Sequence, residues 1–422
     1  MTVLVRWAYT AILFLISPLL LWGLYRPRPN KPKFGKRWIE HFGLGSAKFT
    51  KSVIWIHAVS VGEVLASKKL IADLARSYPE KTVLVTTTTS TGAEQVKQLG
   101  EDVVHQYMPI DFSWCVRHFI KRVKPEVFVI VETELWPNTI HTVSKAKVPI
   151  VLVNGRLSEK SLNNYQKIRP LIHALLTRID LILTVSERDR ERFEKLSSCP
   201  DKIISTGNLK YDVTVPEQAK QQGAELRHFF GKNRKILVAA STHQGEDEIA
   251  LNAFIQAKRN LPELLLIIVP RHPERFDDVA DLIRDKQLTF NRRSGEASQQ
   301  YIDVYLADTM GEMFTFLSAA DLVLMGGSFV GDKVGGHNYI EPVAVSKPCL
   351  TGPSYYNFQE IAEDLIQLGA LTIVTEKSLC DTIITTLTKP IDKMLVEDWA
   401  NYIDSKASSM DKTKAYLTRY IK

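Results

Sequence analysis

Short apolar, β-branched runs alternate with amphipathic stretches along most of the chain beyond Lys51. Continuous apolar runs of this length are typical of strands buried on both faces of a parallel sheet, with helices between them. One such helix is predicted from Val64 to Ser77. In the first half of the chain the predicted strands are VIWIH from Val53, TVLVTT from Thr82, VFVIV from Val127, PIVLV from Pro149 and LILTV from Leu181.

A second series of apolar runs follows in the other half: KILVAAS from Lys235, LLLIIVP from Leu264, DVYLAD from Asp303, DLVLMGG from Asp321 and KPCLTG from Lys347. The sequence therefore predicts an α/β fold with two Rossmann-like domains. A polar stretch interrupts the apolar rhythm around residues 213–222, so we predict domains 27–212 and 213–394 with a ligand cleft between them. Residues 395–422 are predicted to form a charged amphipathic helix that packs back on the N-terminal domain.

The N-terminus predicts a membrane anchor over residues 1–26. The segment from Trp7 to Tyr25 carries no charge and is about as long as roughly 30 Å of hydrocarbon requires. Pro18 leaves both a spanning and a shallowly embedded helix open. Every chemical motif lies beyond Lys51, so the helix is expected to anchor the protein without building its active site. Only Arg6 precedes the segment, and the basic residues that follow it place the domains in the cytoplasm: Arg26, Arg28, Lys31, Lys33, Lys36 and Arg37.

Composition narrows the class of partner. With 422 residues, of which 45% are hydrophobic, the chain is long enough for two cores. The net charge of +7 suits an acidic partner, which could be a nucleic acid, a phosphorylated ligand or an anionic membrane. The sequence contains no Walker A motif, GxGxxG fingerprint, HExxH motif or aspartate cluster, so a metal-independent reaction without a cofactor is favoured.

Three motifs of the first domain carry candidate chemistry. In HAVSVGEV, Glu63 falls at the start of a helix, where a carboxylate could take a proton from a substrate hydroxyl. A capping box between Ser60 and Glu63 is the structural alternative, with about even odds from spacing alone. In VETELWPN, strand alternation would point Glu132 and Glu134 to one side, although solvated loop acids are common. In TGNLKYD, Lys210 could reach a phosphate or carboxylate.

The second domain predicts a nucleotide site. Arg271 follows a strand in PRHPERF, a position from which its guanidinium can grip an anion. STHQGEDE follows the first strand of this domain in the same way, and the backbone N–H groups of GGS, at residues 326–328, are expected to approach a phosphate. In GGHNYIEP, Glu341 could accept hydrogen bonds from ribose hydroxyl groups. Alternatively, Asn338 and Glu341 could form a capping box.

These motifs, together with TTTTSTG, NGRLSEKS and DTMGEM, resemble in the same order those of the 3-deoxy-D-manno-octulosonic acid (Kdo) transferase family of bacterial lipid A assembly. The resemblance implies a GT-B architecture and an inverting, metal-independent transfer of Kdo from CMP-Kdo to a lipid A precursor, lipid IVA, at the inner membrane. It implies Glu63 as general base, with Glu132 and Lys210 stabilising the transition state. The implied CMP-binding residues are Pro270, Arg271, Met310, Gly311, Glu312, Asn338, Tyr339, Ile340 and Glu341.

Three motifs depart from the family pattern. Gln244 stands where glutamate is commoner, Tyr339 and Ile340 replace a Pro-Leu pair, and GDKV lengthens the loop before Gly335. Another GT-B enzyme, such as a UDP-N-acetylglucosamine transferase or epimerase, is the alternative function, because this fold hosts many chemistries. A membrane-tethered nucleotide-binding protein without activity would bind CMP and not turn it over.

Overall fold

The computed structural model describes residues 2–26, 33–45, 49–295, 301–331 and 334–422. Arg28 and Lys31 of the basic cluster, and Asp332 and Lys333 of the GDKV loop, lie outside the described residues. The chain divides into two compact units, which are called the first unit and the second unit below. The first consists of Met1–Asp212 and Lys406–Lys422, and the second of Val213–Ser405.

A seven-stranded parallel sheet organises the first unit, with the strand order β3-β2-β1-β4-β5-β6-β7. Alternate residues of β1 point to opposite faces, so Trp55 and Ile54 join two different hydrophobic clusters. The strands are β1 (Val53–His57), β2 (Thr82–Thr87), β3 (Val103–Tyr107), β4 (Pro125–Val131), β5 (Ile150–Gly155), β6 (Leu181–Thr184) and β7 (Ile203–Ser205).

The helices of the first unit follow the strands, as right-handed parallel crossovers require. They are α2 (Val61–Ser77), α3 (Ser90–Lys97), α4 (Ser113–Val123), α5 (Pro137–Lys145), α6 (Glu159–Lys167), α7 (Arg169–Leu176) and α8 (Glu187–Leu196). The predicted helix from Val64 therefore begins three residues earlier, at Val61. This start brings Gly62 and Glu63 into its first turn.

The second unit repeats the architecture with the strand order β10-β11-β9-β8-β12-β13-β14, again all parallel. Its strands are β8 (Ile236–Thr242), β9 (Leu265–Pro270), β10 (Phe290–Arg292), β11 (Val304–Leu306), β12 (Leu322–Met325), β13 (Cys349–Thr351) and β14 (Leu371–Ile373). Its helices are α9 (Glu217–Phe230), α10 (Glu246–Lys258), α11 (Phe276–Asp285), α12 (Met313–Ala319), α13 (Ile340–Ala344), α14 (Gln359–Gln367), α15 (Glu376–Thr388) and α16 (Lys393–Lys406). The predicted pair of parallel α/β sheets is thus confirmed.

The C-terminal segment differs from the single helix predicted for residues 395–422. Two helices form instead, α16 and α17 (Ser409–Leu417), with a break at Ala407 and Ser408. Helix α17 packs on the first unit, where Met410 and Leu417 join a hydrophobic cluster of its sheet. The Met410 N–H donates to Asp212 Oδ2 at 2.6 Å, so α17 is also hydrogen-bonded to the last residue of the GNLKYD motif.

The N-terminal helix α1 (Thr2–Tyr25) belongs to the first unit and packs against α5 and α7. Its segment Leu4–Tyr25 is long and apolar enough to cross a membrane. Arg6 Nη1 donates to Asn138 Oδ1 at 3.1 Å, and Asn138 Nδ2 donates to Thr10 Oγ1 at 2.9 Å. Asn138 ends the VETELWPN motif, so α1 contacts a residue of this motif. That the helix anchors the protein without building its active site stays a prediction.

Candidate active site

Glu63 lies in the first turn of α2, directly beyond the carboxyl end of β1. Its side chain is buried, with 8% of its surface exposed. Oε2 accepts the Val59 N–H at 2.5 Å, and Oε1 accepts a longer hydrogen bond from Ser60 Oγ at 3.4 Å. The Ser60 side chain makes no capping hydrogen bond to the helix, so the predicted capping box is not formed.

The environment of Glu63 favours its protonated form. Burial raises the pKa of Glu63 to about 8, and the charges of Glu132 and Glu134 add to the increase, while the hydrogen bonds from Val59 and Ser60 oppose it. A carboxylate whose pKa lies near neutral pH is well matched to accept a proton from a hydroxyl. Glu63 therefore has a basicity suited to general-base catalysis.

Glu132 and Glu134 of VETELWPN lie near Glu63, but they follow the end of a strand and do not alternate along it as predicted. Strand β4 ends at Val131, and Glu132 adopts a left-handed conformation with φ 60°, so strand alternation does not set its direction. The Glu132 N–H donates to Val153 O of β5 at 2.9 Å. Both carboxylates still act on Glu63, whose pKa they raise. Trp136 Nε1 donates to Glu134 Oε2 at 2.9 Å and fixes that carboxylate.

Lys210 lies in a single 3₁₀ turn, Leu209–Tyr211, after β7. Asn154 at the end of β5 accepts the Leu209 N–H at 3.0 Å, and Asn208 accepts the Lys210 N–H at 3.0 Å, so side chains hold this turn. Lys210 Nζ lies 3.8 Å from Glu132 Oε1. The first unit thus brings Glu63, Glu132 and Lys210 together at the carboxyl edge of its sheet.

Arg271 follows β9 in the second unit, and its N–H donates to Thr242 O at the end of β8 at 3.0 Å. Within the described ranges its guanidinium makes no hydrogen bond or ion pair, in contrast to Arg275, which binds Asp247 and Thr242 O. The positive charge of Arg271 nevertheless acts on Glu341, where it partly opposes the increase in pKa that burial causes, so the two side chains lie near each other. This guanidinium is available to an anionic ligand.

Three histidines surround Arg271. His243 and His337 stack with ring centroids 5.1 Å apart and an Nε2–Nε2 distance of 2.9 Å, and His272 contacts His243 edge-on at 5.3 Å. Burial, with help from the charge of Arg271, lowers the pKa of all three, and that of His337 falls to about 3. The imidazoles are therefore neutral at pH 7, and each carries a single N–H group. The hydrogen bond between His243 and His337 uses one of these groups, so an anion could receive at most two of the three.

The GGS loop after β12 does not offer its N–H groups to a phosphate, contrary to the prediction. The carboxylate of Glu246 already accepts them: Gly327 N at 2.7 Å, Ser328 N at 2.9 Å and Phe329 N at 2.9 Å. A fourth hydrogen bond comes from His243 N at 2.9 Å. Glu246 is buried and supplies the negative charge that this concave loop would otherwise take from a ligand.

The GGHNYIEP segment is built around Asn338. Its Oδ1 accepts the Ile340 N–H at 3.2 Å and its Nδ2 donates to Glu341 Oε1 at 3.2 Å, whereas Tyr339 occupies the N-cap position of α13. The predicted Asn338 capping box is therefore absent. Burial raises the pKa of Glu341 to about 6. The side chains of Tyr339 and Ile340 are fully buried, and Tyr339 Oη bonds Thr351 Oγ1 at 2.8 Å, so neither side chain can meet a ligand.

The remaining predicted nucleotide residues lie at the same sheet edge. Pro270 is the last residue of β9, and Met310, Gly311 and Glu312 follow the neighbouring strand β11. Arg293 Nη2 donates to Glu312 Oε1 at 2.7 Å, which lowers the pKa of Glu312 and joins it to Arg293. Met310 is exposed. Across the described part of the chain, no group of three or more His, Cys, Asp or Glu side chains could hold a metal ion.

Comparison with known proteins assigns the family. The profile described as "3-Deoxy-D-manno-octulosonic-acid transferase (kdotransferase)" matches residues 36–213. The chain is 38% identical over 373 residues to a 3-deoxy-D-manno-octulosonic acid transferase of Haemophilus influenzae, covering 87% of each chain. The chain belongs to the Kdo transferase family. Another enzyme of that name, from Bordetella pertussis, is 32% identical over 94% of both chains.

As a Kdo transferase family member, the chain is a glycosyltransferase. The fold agrees: a glycosyltransferase structure from Rickettsia africae superposes with a TM-score of 0.55 at 12% identity, covering 89% of this chain and 100% of the other. At that identity the likeness shows the GT-B fold alone.

Sequence reasoning missed four polar residues of this transferase: His243, His272, His337 and Glu246. Each histidine stands within a motif that the sequence did single out, in STHQGEDE, PRHPERF and GGHNYIEP respectively. His243 and His272 follow the ends of β8 and β9 within two residues, whereas His337 lies between β12 and α13. The signal was a histidine directly beyond β8 and β9, at the sheet edge where ligands bind in α/β folds. A neutral imidazole carries no formal charge, so a search for charged residues after strands does not identify it.

Proposed function

We propose that the protein transfers Kdo from CMP-Kdo to a lipid A precursor, lipid IVA, with inversion and without a metal or cofactor. One observation carries the proposal: in a chain of this family, Glu63 has a pKa near 8 and lies beside the Glu132–Lys210 pair. A base of this strength is poised to receive the proton of a sugar hydroxyl at neutral pH.

The acceptor hydroxyl loses its proton to Glu63 as its oxygen attacks the anomeric carbon of Kdo, and the bond from that carbon to the CMP phosphate breaks. Positive charge develops at the anomeric carbon and negative charge on the departing phosphate. Glu132, held 3.8 Å from Lys210, contributes a carboxylate whose charge stabilises the developing cation. Lys210, with its positive charge at that distance, orients the carboxylate.

The second unit binds the donor in this proposal. Arg271 offers a charged fork to the phosphate. The neutral imidazoles of His243, His272 and His337 can add up to two N–H donors without adding charge, because one N–H joins His243 to His337. The Asn338–Glu341 pair supplies acceptors for ribose hydroxyl groups. Donors aimed at the leaving phosphate stabilise charge that appears only in the transition state, so a metal ion is not needed for this purpose.

Helix α1 attaches the enzyme to the membrane that holds the acceptor. Its outward side chains are apolar, and the basic residues that follow it favour domains on the cytoplasmic side of the inner membrane. Lys33, Lys36 and Arg37 belong to this basic group within the described residues.

The test is mass spectrometry of the lipid formed from CMP-Kdo and a tetraacylated lipid A precursor, with and without EDTA. We expect a product heavier by whole Kdo residues. Its amount should be undiminished by EDTA and strongly reduced with Glu63→Gln. CMP should inhibit and UDP should not, which separates this function from a UDP-sugar enzyme. Inhibition by UDP, or CMP binding without any product, would refute the proposal.

A further inference from the structure

Helix α1 is fixed to the first unit along most of its length. Arg6 and Thr10 bond the buried Asn138 near one end, and Tyr25 Oη lies 2.8 Å from His41 Nδ1 at the other. A helix that only tethered the protein would need no polar contacts of this kind. Instead, one side of α1 is part of the domain.

The two sides of α1 have different surroundings. Leu13 faces inward and is 8% exposed, whereas Leu15 and Leu19 face outward and are 75% and 71% exposed. The outward face continues onto the domain through ring contacts, from Phe14 to Phe112 at 6.4 Å and from Phe112 to Trp114 at 6.4 Å. Such a continuous apolar and aromatic surface is typical of a membrane-facing region.

A cavity of about 720 Å³ lies behind α1. Leu13, Leu21 and Leu24 of α1 line one side, and Leu171 and Leu175 of α7 line another. Leu20 and Ile168 also line it and are themselves exposed at 51% and 47%, so the cavity opens to the outside beside the membrane-facing surface. Its size is within the range of small-molecule sites, which span about 300–1,000 Å³.

The other end of the cavity is polar and leads to the candidate base. Glu134 and Trp136 line it, and the Trp136 indole donates to Glu134 Oε2 at 2.9 Å. The charge of Glu134 contributes to raising the pKa of Glu63, so this end lies close to the base. The carboxylates disfavour an anionic occupant there and favour a group with hydroxyl donors.

We propose that this cavity binds an acyl chain of the lipid acceptor, with α1 forming one wall, and so places the sugar hydroxyl beside Glu63. The inference rests on the proposed function. An acyl chain fits because the walls are apolar, the opening lies beside the membrane-facing surface, and the inner end meets the residues that handle a hydroxyl. Helix α1 is then a substrate-binding element as well as an anchor.

Two substitutions on α1 test the cavity. Leu21→Trp puts a larger side chain into the cavity and narrows it, and Leu19→Trp adds the same bulk to the exposed face of the same helix. Full-length enzymes in detergent are given saturating CMP-Kdo and either the tetraacylated acceptor or the same disaccharide stripped of its acyl chains. We expect Leu21→Trp to raise KM for the acylated acceptor about tenfold, since excluding a few methylene groups forfeits that much binding. The stripped acceptor should be used equally by all three proteins, and Leu19→Trp should match the wild type.

Binding is measured separately with myristic acid carrying a diazirine, irradiated with each protein and located by peptide mass spectrometry. Labelling of α1 and α7 that falls in Leu21→Trp and persists in Leu19→Trp supports the cavity even if no Kdo is transferred, in which case only the proposed function fails. Equal labelling of all three proteins, or an unchanged KM in Leu21→Trp, overturns the inference while leaving Kdo transfer intact.

Discussion

The two units share one architecture and carry opposite chemistry at the carboxyl edges of their sheets. In the first unit the edge holds Glu63, Glu132 and Glu134, and burial raises the pKa of Glu63 and of Glu134. In the second unit the edge holds Arg271 and three histidines of lowered pKa. A parallel sheet delivers the residues after each strand to one edge, and the identity of those residues decides the chemistry.

Two glutamates make the contrast sharper. Glu63 follows β1 and Glu246 follows β8, each within the first turn of the next helix. Glu246 accepts four backbone N–H groups and is fully satisfied, whereas Glu63 accepts one backbone N–H and one weak hydroxyl donor. Equivalent positions therefore hold a fully hydrogen-bonded carboxylate in one unit and, in the proposed function, a reactive one in the other.

The largest expected effect is that of Glu63→Gln. This change keeps size and hydrogen bonding and removes the basic charge, so kcat should fall about a hundred to ten thousand fold while CMP affinity stays unchanged. Rapid kinetics on purified enzyme, with thermal unfolding as a control, measures both. A variant that kept more than about a tenth of the wild-type kcat would exclude Glu63 as the base, and Glu132 and Glu134 would be tested next.

The pH dependence of the reaction should reflect the same carboxyl. A base works in its deprotonated form, so with a pKa of about 8 activity should rise with pH up to that region and fall about tenfold per pH unit well below it. The folded-state pKa lies above the ordinary 4.5, so Glu63 binds its proton more tightly when folded, and its contribution to stability should decline as pH rises from 4.5 to 8. Glu63→Gln should remove this decline in denaturant titrations. A rate profile that is flat from pH 6 to pH 8 would contradict the prediction.

The basic edge is tested by Arg271→Ala. Loss of a charge-assisted phosphate contact should cost about 2 kcal/mol, or roughly thirtyfold in CMP affinity by calorimetry. Arg275→Ala is the matched control, because Arg275 is already bound to Asp247 and Thr242 O and should lower stability more than affinity. Equal CMP affinity in Arg271→Ala and the wild type would remove Arg271 from the nucleotide site.

The sequence predicted all ten interior strands of the two sheets, and the structure confirms them. The four strands that it missed, β3, β7, β10 and β14, are the four sheet edges. Interior strands are buried on both faces and read as continuous apolar runs, whereas an edge strand such as VVHQY is short and mixes polar residues. The edges therefore carry no run that a hydrophobic pattern could detect.

The candidate site was predictable where a formal charge follows a strand, as for Glu63 and Arg271. It was not predictable where the role of a group depends on a hydrogen bond to a residue far away in the sequence. The GGS loop is one case, since its Gly327 and Ser328 N–H groups are occupied by Glu246, which lies 81 and 82 residues earlier in the chain. The polar side of α1 is another, because Arg6 and Thr10 find their partner in Asn138 more than 120 residues away.

The smallest expected effect on turnover belongs to Glu246, the structural counterpart of Glu63. Glu246→Gln keeps one carbonyl oxygen but replaces the other with an amide that cannot accept N–H groups, so the GGS loop loses accepted hydrogen bonds and a negative charge. The free energy of unfolding should fall by about 1–3 kcal/mol, measured by denaturant titration. Turnover per folded molecule should change far less than in Glu63→Gln, because Glu246 is buried and fully engaged with backbone. If Glu246→Gln instead abolished kcat at unchanged stability, the two glutamates would share a chemical role and the division between a structural and a reactive carboxylate would be wrong.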